Sequence, residues 1–280
     1  MIMGFIDQMR AEGHAVESVC RVLRQEGCQI AARTYRAWRH RSASARDTSD
    51  AVLLNVLHDL VGTPEGLYGR RKMTAWLRRQ GHQVGAGRVD RLMRVAGMNG
   101  VRRGRPVRTT IPAKDGHRAG DLLNRDFTAA APNTKWVADF TYVRTWAGFV
   151  YVAFVLDCYS QKVVAWHAAT SKTTPLVLTP LRIALWERDR AGHPVQPGEL
   201  IAHSDAGSQY TSLRFAEHLA AEGIAASIGT VADAYDNALM ECVIGLYKTE
   251  CITTTIFHDS PYKTIADVEY ATAGWVEWYN

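Results

Sequence analysis

The sequence predicts an α/β fold: a mixed five-stranded sheet flanked by helices over residues 134–280, preceded by an all-α region of helix-turn-helix character. Three observations predict it. The second half reads β-β-β-α-β-α-β-α, an order that places a mixed sheet between helices. Residues 5–99 hold only short helical patterns separated by brief turns. The charge divides with the structure: residues 1–130 carry 23 Lys/Arg against 12 Asp/Glu, whereas residues 131–280 carry 10 against 16. A basic front half suits a polyanion, and an acidic back half can hold cations.

The elements follow in order. FIDQMR and VESVCRVLRQEG repeat apolar residues at helical spacing, with Gly27 ending the second. IAARTYRAWRHR is a third helix carrying Arg33, Arg36 and Arg39. RSASARDTSD, residues 41–50, has linker composition and closes a segment 1–46. A domain over 50–99 starts with DAVLLNVLHDLV, for which Asp50 is a plausible cap. GLYGRRKMTAWLRRQG ends at Gly81, and AGRVDRLMRVAGM ends near Gly97. Three short helices with brief turns fit a helix-turn-helix module. Between Arg70 and Arg108 there are 12 basic residues and one acid, Asp90. That bias points to nucleic-acid contact through Arg70, Arg71, Lys72, Arg88, Arg91 and Arg94. Residues 100–133, with Arg102, Arg103 and Arg105, form a basic linker: a strap along a phosphate backbone or a simple tether.

Residues 135–145, 148–157 and 161–168 read as an antiparallel meander joined by TWAG and CYSQ. TPLVLTPLRIALWERDR is a helix ending at Gly192, LIAHSD a short strand, TSLRFAEHLAAEG a helix and IAASIG another strand. DNALMECVIGLYKTECI is a long helix, with Asp233 and Asp236 before it as caps, and ADVEYATAGWVEWYN is the last.

No stretch approaches the roughly 20 apolar residues of a membrane span, and MIMGFIDQMRAEGH turns polar too soon for a signal peptide, so a cytoplasmic protein is expected. The five cysteines are odd in number and lack C-x-x-C spacing, which argues for reduced structural thiols rather than disulfides or zinc.

Three acids stand at structural junctions. Asp139 interrupts the strand former TKWVADFTY, where aspartate is disfavoured. Asp205 follows LIAHS at a strand's carboxyl end, where open α/β sheets place their sites. Glu241 lies within the long helix. At about 100° per residue, Asn237, Gly245 and Lys248 share its face, Leu239, Val243 and Leu246 lie opposite, and Glu250 points away. Acids from a strand, a strand end and a helix can converge on hard cations, because magnesium prefers oxygen ligands and an ion pair about 3.5–4 Å apart serves phosphoryl transfer. Asp157, in VLDCYS, reads as a turn cap instead. His203 reads as a structural or supporting residue, because magnesium does not favour imidazole.

Together, WVADFTY, HSDAGSQYTS and DAYDNALMECVIGLYKTE resemble the DDE transposases of bacterial insertion sequences, most closely the second-frame (OrfB) type with a retroviral-integrase-like core. Thirty-five residues separate Asp205 from Glu241, the spacing of that family's last two acids. The basic YGRRKMTAWLRRQG and VDRLMRVAGM are similar to the helical DNA-binding module that precedes such a core. The resemblance implies an RNase H-like integrase core over 134–280. It also implies Asp139, Asp205 and Glu241 as catalytic triad and metal ligands, with Mg²⁺ or Mn²⁺, two ions, as cofactor. It places Lys248 at transposon-end DNA, with Asn237 on the same helix face. The implied activity is strand cleavage by water followed by attack of the freed 3′-hydroxyl on another phosphodiester. The implied partners are element-end and target DNA, further copies of the chain and the upstream first-frame product. Family members continue past their tyrosine–asparagine pair with an Arg- and His-containing motif, whereas this chain stops at Tyr279-Asn280, so a core truncated relative to the family is expected. A catalytically silent protein that occupies transposon ends and regulates transposition is the alternative. A ribonuclease H is disfavoured by the basic module and the acid spacing.

Overall fold

The computed structural model describes residues 2–40, 42–102, 120–205, 207–229, 237–259 and 261–280. The chain forms two compact units, Met1–Asp59 and Leu60–Asn280.

The first unit holds α1 (Ile2–Ala11), α2 (Val16–Gln25), α3 (Ala32–His40) and α4 (Ala45–Asp59). Ile6, Val19, Cys20, Ile30 and Tyr35 form a small core. The Tyr35 hydroxyl donates to Asp7 and accepts from Arg10 Nη1 at 3.1 Å, so its polar tip is satisfied as its ring is buried. α4 begins earlier than the sequence suggests. Ser44 Oγ accepts from the Asp47 N–H at 3.1 Å, while the Asp47 carboxylate accepts from the Ser44 N–H at 3.1 Å. This reciprocal cap starts the helix at Ala45. Asp50 is therefore inside α4 rather than at its N-cap, and residues 45–50 are helical rather than linker.

The second unit opens with a 3-10 turn at Pro64–Leu67, then α5 (Arg70–Arg79) and α6 (Ala86–Val95). Met73, Thr74, Leu77, Val89, Leu92 and Met93 are their buried residues. Gly81 (φ 90°) ends α5 in the left-handed region, and the next N–H, of His82, returns to the Leu77 carbonyl at 3.0 Å. A side chain there would strain the backbone, which is why glycine closes the helix.

The sheet consists of β1 (Lys135–Thr145), β2 (Gly148–Asp157), β3 (Val163–Ala169), β4 (Ile201–Ser204) and β5 (Ala225–Ile228), in the order β3-β2-β1-β4-β5. The meander is antiparallel, whereas β1 and β4, and β4 and β5, are parallel. Side chains alternate across the sheet. Trp136, Ala153 and Val155 bury with Leu176, Leu181 and Phe215 under α7 (Thr174–Arg190) and α8 (Leu213–Ala221). Val137, Val152, Phe154 and Leu156 bury with Val243, Tyr247 and Trp275 under α9 (Ala238–Leu246) and α10 (Ile265–Tyr279). Phe154, Tyr247 and Trp275 pack edge to face at 5.0–6.2 Å. Full burial of such a side chain is worth about 1.5–3 kcal/mol.

The long helix expected from DNALMECVIGLYKTECI is interrupted. α9 widens into a π-helical turn, Tyr247–Ile252. Its buried face is Met240, Val243, Gly245 and Tyr247, and Leu239 and Leu246 are only half-buried. Asn237 and Gly245, expected on the open face with Glu241, are buried instead. Asp233 and Asp236 lie outside the described residues. Asp157 is a turn cap, accepting from the Ser160 N–H and the Asn133 N–H at 2.8 Å each. Among the described residues, no helix is long and apolar enough to cross a membrane.

Candidate active site

The β1–β4 register brings two acids together. The parallel pairing covers Lys135–Ala138 against Ile201–Ser204, and its last pair is Ala138 with Ser204. Asp139 and Asp205 are the next residues of each strand, so their carboxylates emerge side by side where β4 runs out. Pairing of β1 with β2 continues to Thr145, so Asp139 rests on a central strand held beyond the end of β4.

The Asp139 carboxylate accepts from the Phe140 N–H at 2.7 Å. Burial pushes its pKa well above the ordinary carboxylate range. The negative charge of Asp205, then of Glu241, pushes in the same direction, while the Phe140 N–H and Lys248 oppose. Asp205 is also raised by burial, opposed by the Gly207 N–H and by His203. That N–H reaches Asp205 Oδ1 at 3.1 Å. A Cβ at residue 207 would stand 2.9 Å from the same oxygen, so any side chain there requires the Asp205 carboxylate to shift.

Glu241 lies on the exposed side of the first turn of α9. The start of that helix is fixed to β1 by Asn237, whose Nδ2 donates to the Ala138 carbonyl at 3.2 Å. Lys248, one element further along, is half-buried; burial lowers its pKa and Asp139 raises it. Four sequence-predicted residues, Asp139, Asp205, Glu241 and Lys248, thus share one electrostatic neighbourhood. The donor chemistry fits a hard divalent cation: oxygen ligands, partly desolvated, whose mutual repulsion a cation would relieve. Among the described residues no three His, Cys, Asp or Glu side chains already stand close enough to share one ion.

His203 is buried beneath this site. Its Nδ1 is 2.8 Å from Ser227 Oγ and 3.7 Å from Asp121 Oδ1. It supports β4 and β5 from within the sheet.

The expected DNA-contacting residues are scattered in behaviour. Arg70, Arg71 and Arg102 are exposed, and Arg88 and Arg91 are half-buried. Arg94 is exposed but paired with Asp90. Lys72 is exposed but lies along the protein surface, its Nζ 3.9 Å from Glu250 Oε1 and 5.5 Å from the Tyr68 ring. Asn237 is buried against backbone. Arg103 and Arg105 lie outside the described residues.

Sequence reasoning missed Tyr210. Its ring is 2% exposed, packed on Phe140 at 6.2 Å and Phe215 at 5.5 Å. Its hydroxyl is buried with no hydrogen-bond partner among the described residues. Burial, then Asp139 and Asp205, push its pKa well above the usual phenol value. The signal available was its position in the loop that Asp205 opens. Gly207 was missed for want of the same local geometry.

Comparison with known proteins decides the family. Integrase core domain families match residues 129–234 and 222–280, and an HTH-like domain family matches residues 52–106. The transposase assigned to insertion sequence element IS986/IS6110 of Mycobacterium tuberculosis H37Rv is 44% identical over 90% of this chain and 88% of its own length. The chain belongs to the insertion-sequence transposases. The transposase of IS629 from Shigella sonnei is 41% identical over 100% of this chain and 90% of that protein. The catalytic core domain of HTLV-2 integrase, solved in complex with magnesium, is 18% identical, covers 52% of this chain and 86% of its own, and has a TM-score of 0.38. The transposase fold is the RNase H-like one: a mixed five-stranded sheet flanked by helices, with a helical region before it.

Proposed function

We propose that this transposase cleaves DNA at the ends of its element and joins the freed 3′-hydroxyl to a second phosphodiester, with Asp139, Asp205 and Glu241 as its catalytic acids. The observation that carries this reading is the end of the β1–β4 register. It sets two desolvated carboxylates side by side within the field of a third acid and a lysine. Asp139, Asp205 and Glu241 would hold Mg²⁺ or Mn²⁺, a pair of ions in the reading adopted here. Bound there, the metal supplies Lewis acidity to the attacking and leaving oxygens.

The chain's own groups do the rest. The Phe140 and Gly207 N–H groups hold the two aspartates in fixed orientation. Asn237 keeps the helix bearing Glu241 against the strand bearing Asp139. Lys248, next to Asp139, offers an ammonium to a phosphate brought to the acids. Arg70, Arg71, Arg88, Arg91, Arg94 and Arg102, with Arg103 and Arg105, supply the cations along the duplex. Lys72 and Asn237 are dropped from the DNA contacts, because both side chains are engaged within the protein. Work on two element ends calls for more than one copy of the chain, and the upstream first-frame product is a further partner.

The test is cleavage of labelled duplexes taken from the DNA flanking the gene, with Mg²⁺ or Mn²⁺ and with EDTA. Metal-dependent nicking at the element end, lost in Asp139→Asn and Glu241→Gln, is the expected result. Binding without nicking under every metal condition would instead favour a silent occupant of the ends.

A further inference from the structure

One face of the β1–β2 hairpin carries an aromatic ladder that leads away from the acids. Tyr210, buried beside Asp139 and Asp205, packs on Phe140, and Phe140 packs on Tyr151 at 6.5 Å. Further along the same face, Tyr142 meets Phe149 edge to face at 5.3 Å. Exposure grows outward: 2% at Tyr210, 39% at Tyr142, 49% at Phe149 and 74% at Trp146 on the hairpin tip. Among the described residues, β4 pairs with β1 no further than Ala138. Two ammonium groups stand over the exposed rings, Lys248 Nζ at 4.9 Å from Tyr142 and Lys263 Nζ at 5.6 Å from Trp146. The tip is held in place: the Trp146 and Ala147 N–H groups donate to the carbonyls of Tyr262 and Lys263, each at 3.0 Å.

We propose that Tyr142, Phe149 and Trp146, flanked by Lys248 and Lys263, are a stacking platform for unpaired nucleotides of the DNA strand that enters the acidic site. The proposal rests on reading that site as one that acts on DNA. Duplex DNA hides its base faces within the helix, and cations alone suffice to hold it. Exposed flat rings interleaved with lysines fit a strand whose bases are free to stack while its phosphates meet the ammonium groups. Lys248, over the Tyr142 ring and in the field of Asp139, links the platform to the acids.

The experiment uses the full chain in EDTA, with fluorescence anisotropy of a labelled oligothymidylate of about 15 nucleotides and of a blunt duplex. Trp146→Ala and Phe149→Ala are each expected to weaken oligothymidylate binding about tenfold and duplex binding by less than about twofold, with Trp146→Phe restoring the affinity. Equal losses on both probes, or no loss on either, overturn the platform. So does a loss accompanied by a change of oligomeric state, which would make the hairpin an interface between copies of the chain. Binding in EDTA needs no turnover. Failure of the platform would therefore leave cleavage at the element end intact, and failure of the cleavage reading would leave oligothymidylate binding intact.

Discussion

Asn237 Nδ2 donates to the Ala138 carbonyl at 3.2 Å, which ties the first residue before α9 to the residue preceding Asp139. The bond fixes the distance between the helix of Glu241 and the strand of Asp139. Asn237 Oδ1 is buried without a hydrogen-bond partner among the described residues. Asn237→Ala removes the bond to the Ala138 carbonyl, at a cost of about 0.5–1.5 kcal/mol. Asn237→Asp goes further, because a carboxylate cannot donate and adds negative charge beside two raised aspartates. The expected order of Tm at pH 8 is parent, then Asn237→Ala, then Asn237→Asp, with nicking falling in the same order. A Tm for the aspartate variant at or above that of the alanine variant would refute the positioning role.

The raised pKa values of Asp139 and Asp205 fix the sign of a pH effect. Each carboxyl prefers its proton in the folded state more than in the unfolded chain, where the value is about 3.9. Each therefore lowers stability above its folded pKa, and the cost fades as pH falls through that pKa toward the unfolded value. Asp139→Asn should raise the Tm of metal-free protein at pH 8, and the advantage should shrink as pH is lowered. Added Mg²⁺ should raise the Tm of the parent more than that of the variant. Thermal melts at several pH values, with EDTA or Mg²⁺, measure both, and a variant less stable than the parent at pH 8 would contradict the sign.

Gly207 is constrained by Asp205 rather than by its own backbone. Gly207→Ala would place Cβ 2.9 Å from Asp205 Oδ1 and 3.5 Å from Gln209 Oε1. Relief requires the carboxylate to turn from its position beside Asp139. A displacement of about 1 Å at a reacting group costs on the order of a hundredfold in rate. Nicking should fall by that order while the Tm changes by no more than a few degrees. Wild-type activity in Gly207→Ala would show that Asp205 has room to spare.

Much of this architecture was legible in the residues. β1 and β2 fall on 135–145 and 148–157 as read, because β-branched and aromatic residues fill both and a Gly148 with φ 123° turns between them. Other features depend on long-range partners. The pairing of Ala138 with Ser204 joins residues far apart in sequence, so the adjacency of the two aspartates is a property of the sheet. The π turn at Tyr247–Ile252 breaks the 100° rule beyond α9, and Asn237, with φ −129° before the helix starts, never obeyed it. Ser44 and Asp47 looked like linker composition because capping residues and loop residues are the same types.

Arg188 shows how a charge in a basic sequence becomes part of a core. Its side chain is 5% exposed and donates through Nε to the His193 carbonyl at 2.6 Å, through Nη1 to the Asn133 carbonyl at 2.9 Å and through Nη2 to Glu199 Oε1 at 2.8 Å. It thus fixes the end of α7 to the loop before β1. Arg188→Ala removes three charge-assisted bonds and should cost about 3–5 kcal/mol, and Arg188→Lys should recover only part because one ammonium cannot span the fork. Chemical denaturation of the two variants checks the order.

Lys72 gives the last prediction, because it separates two readings of the basic helix α5. Arg70 and Arg71 are exposed, whereas Lys72 lies against Glu250 Oε1, whose partner oxygen Oε2 accepts from Trp275 Nε1 at 3.2 Å. The Glu250 pKa is raised by burial, opposed by the Trp275 bond and by Lys72. Tyr68, which the lysine also approaches, stacks on Trp278 at 5.8 Å. α5 is thereby docked on the core through Lys72 and Tyr68, and the two arginines stay exposed. Arg71→Ala should weaken duplex binding and reduce the slope of log affinity against log salt by about one unit. Lys72→Ala should leave that slope unchanged and cost under about 1 kcal/mol of stability, since the lysine is 60% exposed and its ion pair is solvent-screened. Salt titrations of the two variants distinguish them, and equal changes of slope would place Lys72 back on the DNA.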